Sequence, residues 1–454
     1  MGKKRVPRRS KQSKALNHPK GSAEPFSLLI KPASGECNLR CDYCFYLEKC
    51  NLFPSREPRR MSRETLVRML ESYFSTPQPV YTFAWQGGEP TLMGLDFFEE
   101  VVTLQRKLAP AGARITNAIQ TNGTRISEEL AQFFGRNSFL VGISIDGPAE
   151  IHDRYRIDMG GGPTHRQVLK GLERLRNAGA EVNALTVVNS LNVTQPSLIY
   201  NYIKEELGFR FHQYIPLVER DETGKLLPFA ITGEQWGSFL NGVFDEWYPR
   251  DVRRVSVRYF DAVMQLLAHG SYAQCTMAGR CSSYVVVEHN GEIYPCDFYV
   301  EPELRLGSVH RDESAEHPVR NGESSAGELS DARRSPRANR FAAQKSKWSD
   351  ECARCAYLPF CSGDCPKMRV DGGTSHLCAG WKAFYSAHLD QLRDLARQAP
   401  DYNGGVEAVA ARLKPEDPCF CGSGKRYGNC HGAVSSGGAP TAGPKPSPSG
   451  RQDN

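Results

Sequence analysis

The chain has 454 residues, 40% of them hydrophobic and 24% charged, which is enough for two or three domains with a sizeable core. Its 57 Lys and Arg against 51 Asp and Glu leave a net charge of +6, yet the first twenty residues hold eight basic residues and no acid, so everything after them is slightly acidic. No apolar run approaches the roughly 18 to 20 residues of a membrane span.

Residues 1–24 read as a basic, disordered tail, with a nucleic-acid or acidic-partner contact as the alternative. Arg8-Arg9 could open an export signal, but no apolar segment follows before Glu24-Pro25, so the expected location is the cytoplasm. From residue 25 to about 250, short β-branched or aromatic runs alternate with amphipathic helical patterns, as in repeated βα units on a parallel sheet. Strands are expected at 26–31, 81–85, 115–120, 140–145, 182–188 and 211–215. Helices are expected at 63–74, 96–108, 128–134, 165–178, 195–206 and 234–247. The fold class is therefore α/β, a partial (β/α)6 TIM-like barrel with two strands fewer than a full one.

In such barrels the chemistry sits on loops after the strands' C-terminal ends. The unusual residues obey this: CNLRCDYCFY (Cys37 to Tyr46) follows the first expected strand, GGEP (Gly87 to Pro90) the second, TNG (Thr121 to Gly123) the third and DGP (Asp146 to Pro148) the fourth. Residues 251–395 change to cysteine-rich loops, interrupted from His310 to Lys347 by a polar stretch that reads as a flexible insertion. A linker at 396–416, a cysteine knot at 417–432 and a Gly/Pro/Ser-rich disordered tail at 433–454 complete the chain.

Fifteen cysteines without a secreted, disulfide-built context mean metal. Three thiolates, Cys37, Cys41 and Cys44, suit a four-iron cubane with one iron left open; zinc or ordinary buried thiols are the bland alternatives. This C-x3-C-x2-C loop, with Phe45 and Tyr46 after it and GGEP beyond, resembles the signature of the radical S-adenosylmethionine (SAM) superfamily. The resemblance implies that the open iron chelates SAM and cleaves it to a 5′-deoxyadenosyl radical. It also implies that Gln86, Gly87, Gly88, Glu89, Ser144 and Arg156 contact the cofactor, with Glu89 accepting from the methionine ammonium and Arg156 binding the carboxylate.

Setting aside those three cysteines, three in the C-terminal knot and the isolated Cys50 leaves eight, the number for two fully ligated four-iron clusters. Their pattern resembles the SPASM auxiliary-cluster domain, which implies Cys275, Cys281, Cys296 and Cys365 on one cluster and Cys352, Cys355, Cys361 and Cys378 on the other. WQGGEPTL, IQTNGT, SIDGP, HDRYR and YPCDFYV together resemble the anaerobic sulfatase-maturating enzymes. That family oxidises a Cys or Ser of a sulfatase chain to Cα-formylglycine, and the resemblance implies Asp297 as the base. It further implies an unfolded or nascent sulfatase as substrate, a flavodoxin or ferredoxin as electron donor, three [4Fe-4S] clusters and SAM. The polar insertion and the short interval from Cys365 to Cys378 depart from the pattern where they could reshape the substrate groove.

Cys419, Cys421, Cys430 and His431 offer three sulfurs and a nitrogen in a Gly-turned loop and resemble the SEC-C zinc motif, so Zn2+ is expected there. Lys425 and Arg426 suit a protein or ribosome contact, and an inert stabilising knob, whose removal should leave the clusters and peptide oxidation intact, fits equally. Two rivals stand beside the maturase reading. One is a radical enzyme crosslinking ribosomally made peptides, against which the short stretch before the first expected strand leaves no room for a peptide-recognition domain. The other is a non-catalytic metal-cluster nucleic-acid-binding protein, which leaves GGEP unexplained.

Overall fold

A computed structural model describes residues 25–49, 52–53, 57–310, 328–370, 373–419, 421 and 425–432; the basic tail, Cys50 and the C-terminal tail lie outside the described residues. Six parallel strands run in sequential order: β1 (Ser27–Lys31), β2 (Val80–Trp85), β3 (Arg114–Thr121), β4 (Leu140–Ser144), β5 (Glu181–Val188) and β6 (Phe211–Pro216). Each matches an expected strand to within a residue or so. The intervening helices include Arg63–Phe74, Gly94–Leu108, Glu128–Arg136, His165–Asn177 and Gly233–Trp247. The expected helix at 195–206 is a helical turn at Pro196–Asn201 that widens into a π-turn at Tyr202–Glu206.

Strand alternation separates a greasy outer face from a polar lumen. On β2, Tyr81, Phe83 and Trp85 are buried and pack outward, Phe83 against Tyr73 at 5.2 Å and Trp85 against Phe98 at 6.0 Å between ring centroids. Inward, Thr116 Oγ1 donates to Thr82 Oγ1 at 2.9 Å and Gln120 Nε2 to Ser144 Oγ at 3.1 Å. A Cβ on Gly142 would lie 2.1 Å from Gln120 Oε1, so that glycine leaves the lumen room for the glutamine.

The sheet does not stop at six strands, and it does not close. β7 (Ser256–Val257) adds to β6, while β8 (Tyr284–Glu288) pairs parallel with β1, followed antiparallel by β9 (Glu292–Tyr294) and β10 (Gly307–Ser308). The order is β10-β9-β8-β1-β2-β3-β4-β5-β6-β7, so the cysteine-rich part grows out of the barrel sheet itself. Register pairs Lys31 with Glu288 at the mouth of the barrel.

Two segments expected to be irregular are ordered. Within the polar insertion, residues 311–327 lie outside the described residues, but Glu328–Arg334 and Pro336–Gln344 are helices. They bury Leu329, Ala332, Phe341 and Ala342, and Leu329 N donates to Ser72 Oγ at 2.9 Å. In the expected linker, helix Gly405–Ala410 lies so close to helix Arg258–His269 that a Cβ on Gly405 would sit 1.9 Å from Leu267 O.

Candidate radical site and auxiliary cysteine centres

The loop after β1 is stitched to the loop after β2 by main chain: Gln86 N donates to Ile30 O (2.9 Å), Gly88 N to Ser34 O (2.8 Å) and Glu89 N to Glu36 O (2.7 Å). This approach demands glycine. A Cβ on Gly88 would lie 1.9 Å from Glu36 O, and Gly87 takes φ +117°.

Glu89 has no exposure and spends its carboxylate on the neighbouring loops. Oε1 accepts from Thr91 N (2.9 Å), Thr91 Oγ1 (2.6 Å) and Thr121 Oγ1 (2.8 Å), and Oε2 from Asn122 N (2.7 Å). Burial pushes its acidity down despite these donors. The residue expected to receive an ammonium thus also ties three loops together. Asn122 then reaches Cys37 Sγ with Nδ2 at 3.5 Å, beside Leu39 N at 3.3 Å.

On the opposite side, Arg156 is buried and its Nε sits 3.0 Å from Asp146 Oδ2, to which Tyr43 also donates. Burial opposes the arginine's charge, but Asp146, Tyr43 and Cys41 more than offset it. Residues 155–158 run alongside the cysteine loop, with Arg40 N donating to Ile157 O and Asp42 N to Tyr155 O. Asp146 and Tyr43 therefore place Arg156 against Cys41. Burial raises the Cys37 thiol to about 12 and the Cys41 thiol to about 11, so ionising them needs the positive charge a metal supplies.

Asp297, at the start of a short 3-10 turn after Cys296, comes to this same mouth. It is 6% exposed. Tyr46 OH donates to its Oδ2 at 2.5 Å and Gln86 Nε2 at 3.1 Å, while Lys31 Nζ lies 2.7 Å from Oδ1. That last contact is an ion pair. Lys31 itself is 1% exposed, 3.4 Å from Glu288 Oε1 and 4.6 Å from the centre of the Tyr46 ring. Burial lowers its basicity, but Asp297 and Glu288 outweigh burial, so the ammonium is held charged. Lys31, Tyr46 and Glu288 were not expected as site residues. The usable signal was a lysine ending the buried run SLLIK and a glutamate ending the buried run YVVVE.

The eight auxiliary cysteines fall into two groups in space. Cys275, Cys281, Cys296 and Cys365 line a cavity of about 470 Å³ that reaches β6 at Gln213 to Pro216. Cys352, Cys355, Cys361 and Cys378 line a second, smaller cavity beside Trp381 and Lys382. None of the fourteen described cysteines is in a disulfide. Burial raises Cys281 and Cys361 to about 12, and Cys296, Cys365 and Cys378 to about 11. Two sets of four thiols, each gathered around its own cavity, suit two four-iron clusters.

The knot has a different spacing. The donor atoms of Cys419, Cys421, Cys430 and His431 all lie within 4.8 Å of one another and all four residues are buried. Cys421 and Cys430 sulfurs are 3.6 Å apart, and His431 Nδ1 is 3.1 Å from Cys419 Sγ. Tetrahedral zinc separates such ligands by roughly 3.5 to 3.8 Å, and this set lies within a few tenths of an ångström to an ångström of that spacing, close enough to close around a single zinc ion.

Residues 32–196 match the radical SAM superfamily, residues 275–356 the SPASM iron-sulfur cluster-binding domain and residues 417–433 the SEC-C motif. The chain is 36% identical over 399 residues to the serine-type anaerobic sulfatase-maturating enzyme of Bacteroides thetaiotaomicron, covering 83% of this chain and 92% of that one. It is likewise 36% identical over 383 residues to the cysteine-type enzyme of Clostridium perfringens, covering 82% and 98%. Among solved structures, native anSMEcpe with bound AdoMet superposes with a TM-score of 0.73 at 34% identity, over 82% of this chain and all of the other. A second form of that protein carries AdoMet and the Cp18Cys peptide, with the same TM-score.

Proposed function

The chain belongs to the anaerobic sulfatase-maturating enzymes of the radical SAM superfamily, and from that premise we propose that it oxidises a Cys or Ser of an unfolded or nascent sulfatase to Cα-formylglycine, with Asp297 as base. The observation that carries the assignment of the base is the buried Asp297 carboxylate at the barrel mouth. Its Oδ2 is fixed by Tyr46 and Gln86, and its Oδ1 meets the Lys31 ammonium at 2.7 Å.

Cys37, Cys41 and Cys44 would hold the cluster that binds SAM, and the two auxiliary sets a cluster each. Bound there, these groups supply hydrogen-atom abstraction from the substrate Cβ and an acceptor for the second electron. The chain's own work is positional and acid-base. Gly87 and Gly88 bring the loop after β2 onto the cysteine loop, Glu89 and Asn122 hold both against the loop after β3, and Asp146 presents Arg156. Ser144 and Gln120 line the lumen. Lys31 keeps Asp297 paired and oriented, and Asp297 Oδ1 takes the proton from the substrate thiol or hydroxyl.

Serine-type and cysteine-type relatives match this chain equally well, so the substrate residue is settled by assay. The protein is incubated anaerobically with SAM and a reductant, with paired peptides bearing Cys-x-Pro-x-Arg or Ser-x-Pro-x-Arg, and followed by mass spectrometry. Aldehyde in either peptide supports the reading; deoxyadenosine without aldehyde in both overturns it. A flavodoxin or ferredoxin is the proposed physiological reductant, zinc the proposed occupant of the knot and the cytoplasm the proposed location. No helix among the described residues is long and apolar enough to cross a membrane.

A further inference from the structure

The C-terminal knot was expected to be separable, with Lys425 and Arg426 offered to a ribosome or protein. The geometry spends Lys425 inside the chain, while Arg426 is exposed. Lys425 Nζ donates to Ser346 O at 2.6 Å and sits 4.5 Å from the centre of the Trp348 ring. His431 packs edge-on against Trp348 at 5.6 Å. Gly279 N donates to Cys421 O at 3.1 Å, and a Cβ on Gly279 would lie only 2.3 Å from that oxygen.

Every one of these docking points adjoins an auxiliary cysteine. Gly279 lies between Cys275 and Cys281, in a stretch without helix or strand from the end of helix Arg258–His269 to the start of β8. Trp348 Nε1 donates to the carbonyl of Ser362, the residue after Cys361. Beside Ser346, the fully buried Lys345 donates from Nζ to Thr276 O at 2.8 Å, one residue from Cys275. Among the described residues of the knot the buried ones are three cysteines, His431 and Tyr427, so what packs there is the metal ligands and one ring. A segment built this way takes its shape from its metal, and its contact with the irregular Cys275–Cys281 loop is through Gly279 and Cys421 O.

We infer that the metal-loaded knot is a brace for the auxiliary centres: zinc at Cys419, Cys421, Cys430 and His431 holds the loop bearing Cys275 and Cys281, and the turn after Cys361, in the shape that retains iron. The partner of this SEC-C segment is thus the chain's own auxiliary domain. The inference rests on the cofactor reading given under the proposed function.

The test uses full-length, anaerobically reconstituted protein and reads metal content and the rate of iron loss to a ferrous chelator. The double variant Cys430→Ser/His431→Ala should lose its zinc and release auxiliary iron at least about tenfold faster, the order expected when a hydrogen bond and its packing are lost. The deoxyadenosine yield that reports on Cys37, Cys41 and Cys44 should persist. A zinc-free chain with wild-type iron content and wild-type release overturns the inference. Should the double variant not fold, Lys425→Met keeps all four ligands: faster iron release with zinc retained supports the brace, and unchanged release overturns it. A wild-type chain that binds iron at the auxiliary cysteines but no zinc at the knot overturns the brace and leaves the cluster reading standing, whereas one that binds no auxiliary iron overturns the cluster reading itself.

Discussion

Gly88→Ala is the smallest change that should disable the radical site. The added Cβ would lie 1.9 Å from Glu36 O, 2.4 Å from Glu36 C and 2.5 Å from Gly35 C, all main-chain atoms of the cysteine loop. Ordinary contact begins near 3.4 Å, so one loop must retreat from the other by about 1.5 Å, the difference between 3.4 and 1.9. The retreat cannot be absorbed by a rotamer. It also stretches the hydrogen bonds Gly88 N to Ser34 O and Glu89 N to Glu36 O, and Glu36 immediately precedes Cys37. Overpacking of this kind costs about 1–3 kcal/mol, which the fold survives, whereas a 1 Å misplacement of reacting groups costs about 100-fold in rate. The assay is 5′-deoxyadenosine formation with excess reductant and no peptide, alongside iron content and far-UV circular dichroism. A roughly 100-fold fall with helix content intact is expected. A Gly88→Ala enzyme that cleaves SAM at the wild-type rate would refute the claim that this close approach sets the cofactor site.

Replacing Cys37, Cys41 and Cys44 together with Ala should remove about four irons per chain and abolish deoxyadenosine production, read by iron analysis and chromatography. Asp297→Asn should keep iron and deoxyadenosine while lowering formylglycine by about 10²- to 10⁴-fold; loss of iron would recast the residue as a support for Cys296. Lys31→Met leaves Asp297 and Glu288 buried without their cation and should destabilise the chain by about 3–5 kcal/mol in chemical denaturation, with Lys31→Arg retaining part of it. Because the pair raises the Lys31 pKa in the folded state, its contribution is fully present below the ordinary lysine value of about 10.4 and is lost only as pH rises beyond it. The difference between wild type and Lys31→Met should therefore not shrink as pH rises from 7 to 9, and a difference that falls with rising pH in that range would contradict the assignment.

The barrel was legible because its strands are long enough to show period-2 alternation and its helices carry clean apolar stripes. Arg63–Phe74 begins and ends where its pattern does. β7 and β10 have two residues each and β9 three, too few to show any period, and β8 pairs with a strand more than 250 residues earlier. The helices at 328–344 hid behind SDARRSPRANR: their buried stripe is largely Ala, with Leu329 and Phe341 as the only large apolar anchors. Motif positions in the site were readable from spacing, but their partners were not. Asp146 clamping Arg156, Asn122 reaching Cys37 and Lys31 pairing with Asp297 are all contacts between loops far apart in the chain. The docking of the knot escaped for the same reason, since Gly279 looks like any loop glycine until Cys421 O is placed against it.

The most direct measurement of the central claim uses a peptide deuterated at the Cβ of its target Cys or Ser. Anaerobic turnover with SAM should place deuterium in the 5′-deoxyadenosine and an aldehyde on the same peptide, in matching amounts. Deuterated deoxyadenosine accompanied by a thioether crosslink, or aldehyde formed without deuterium transfer, would contradict it.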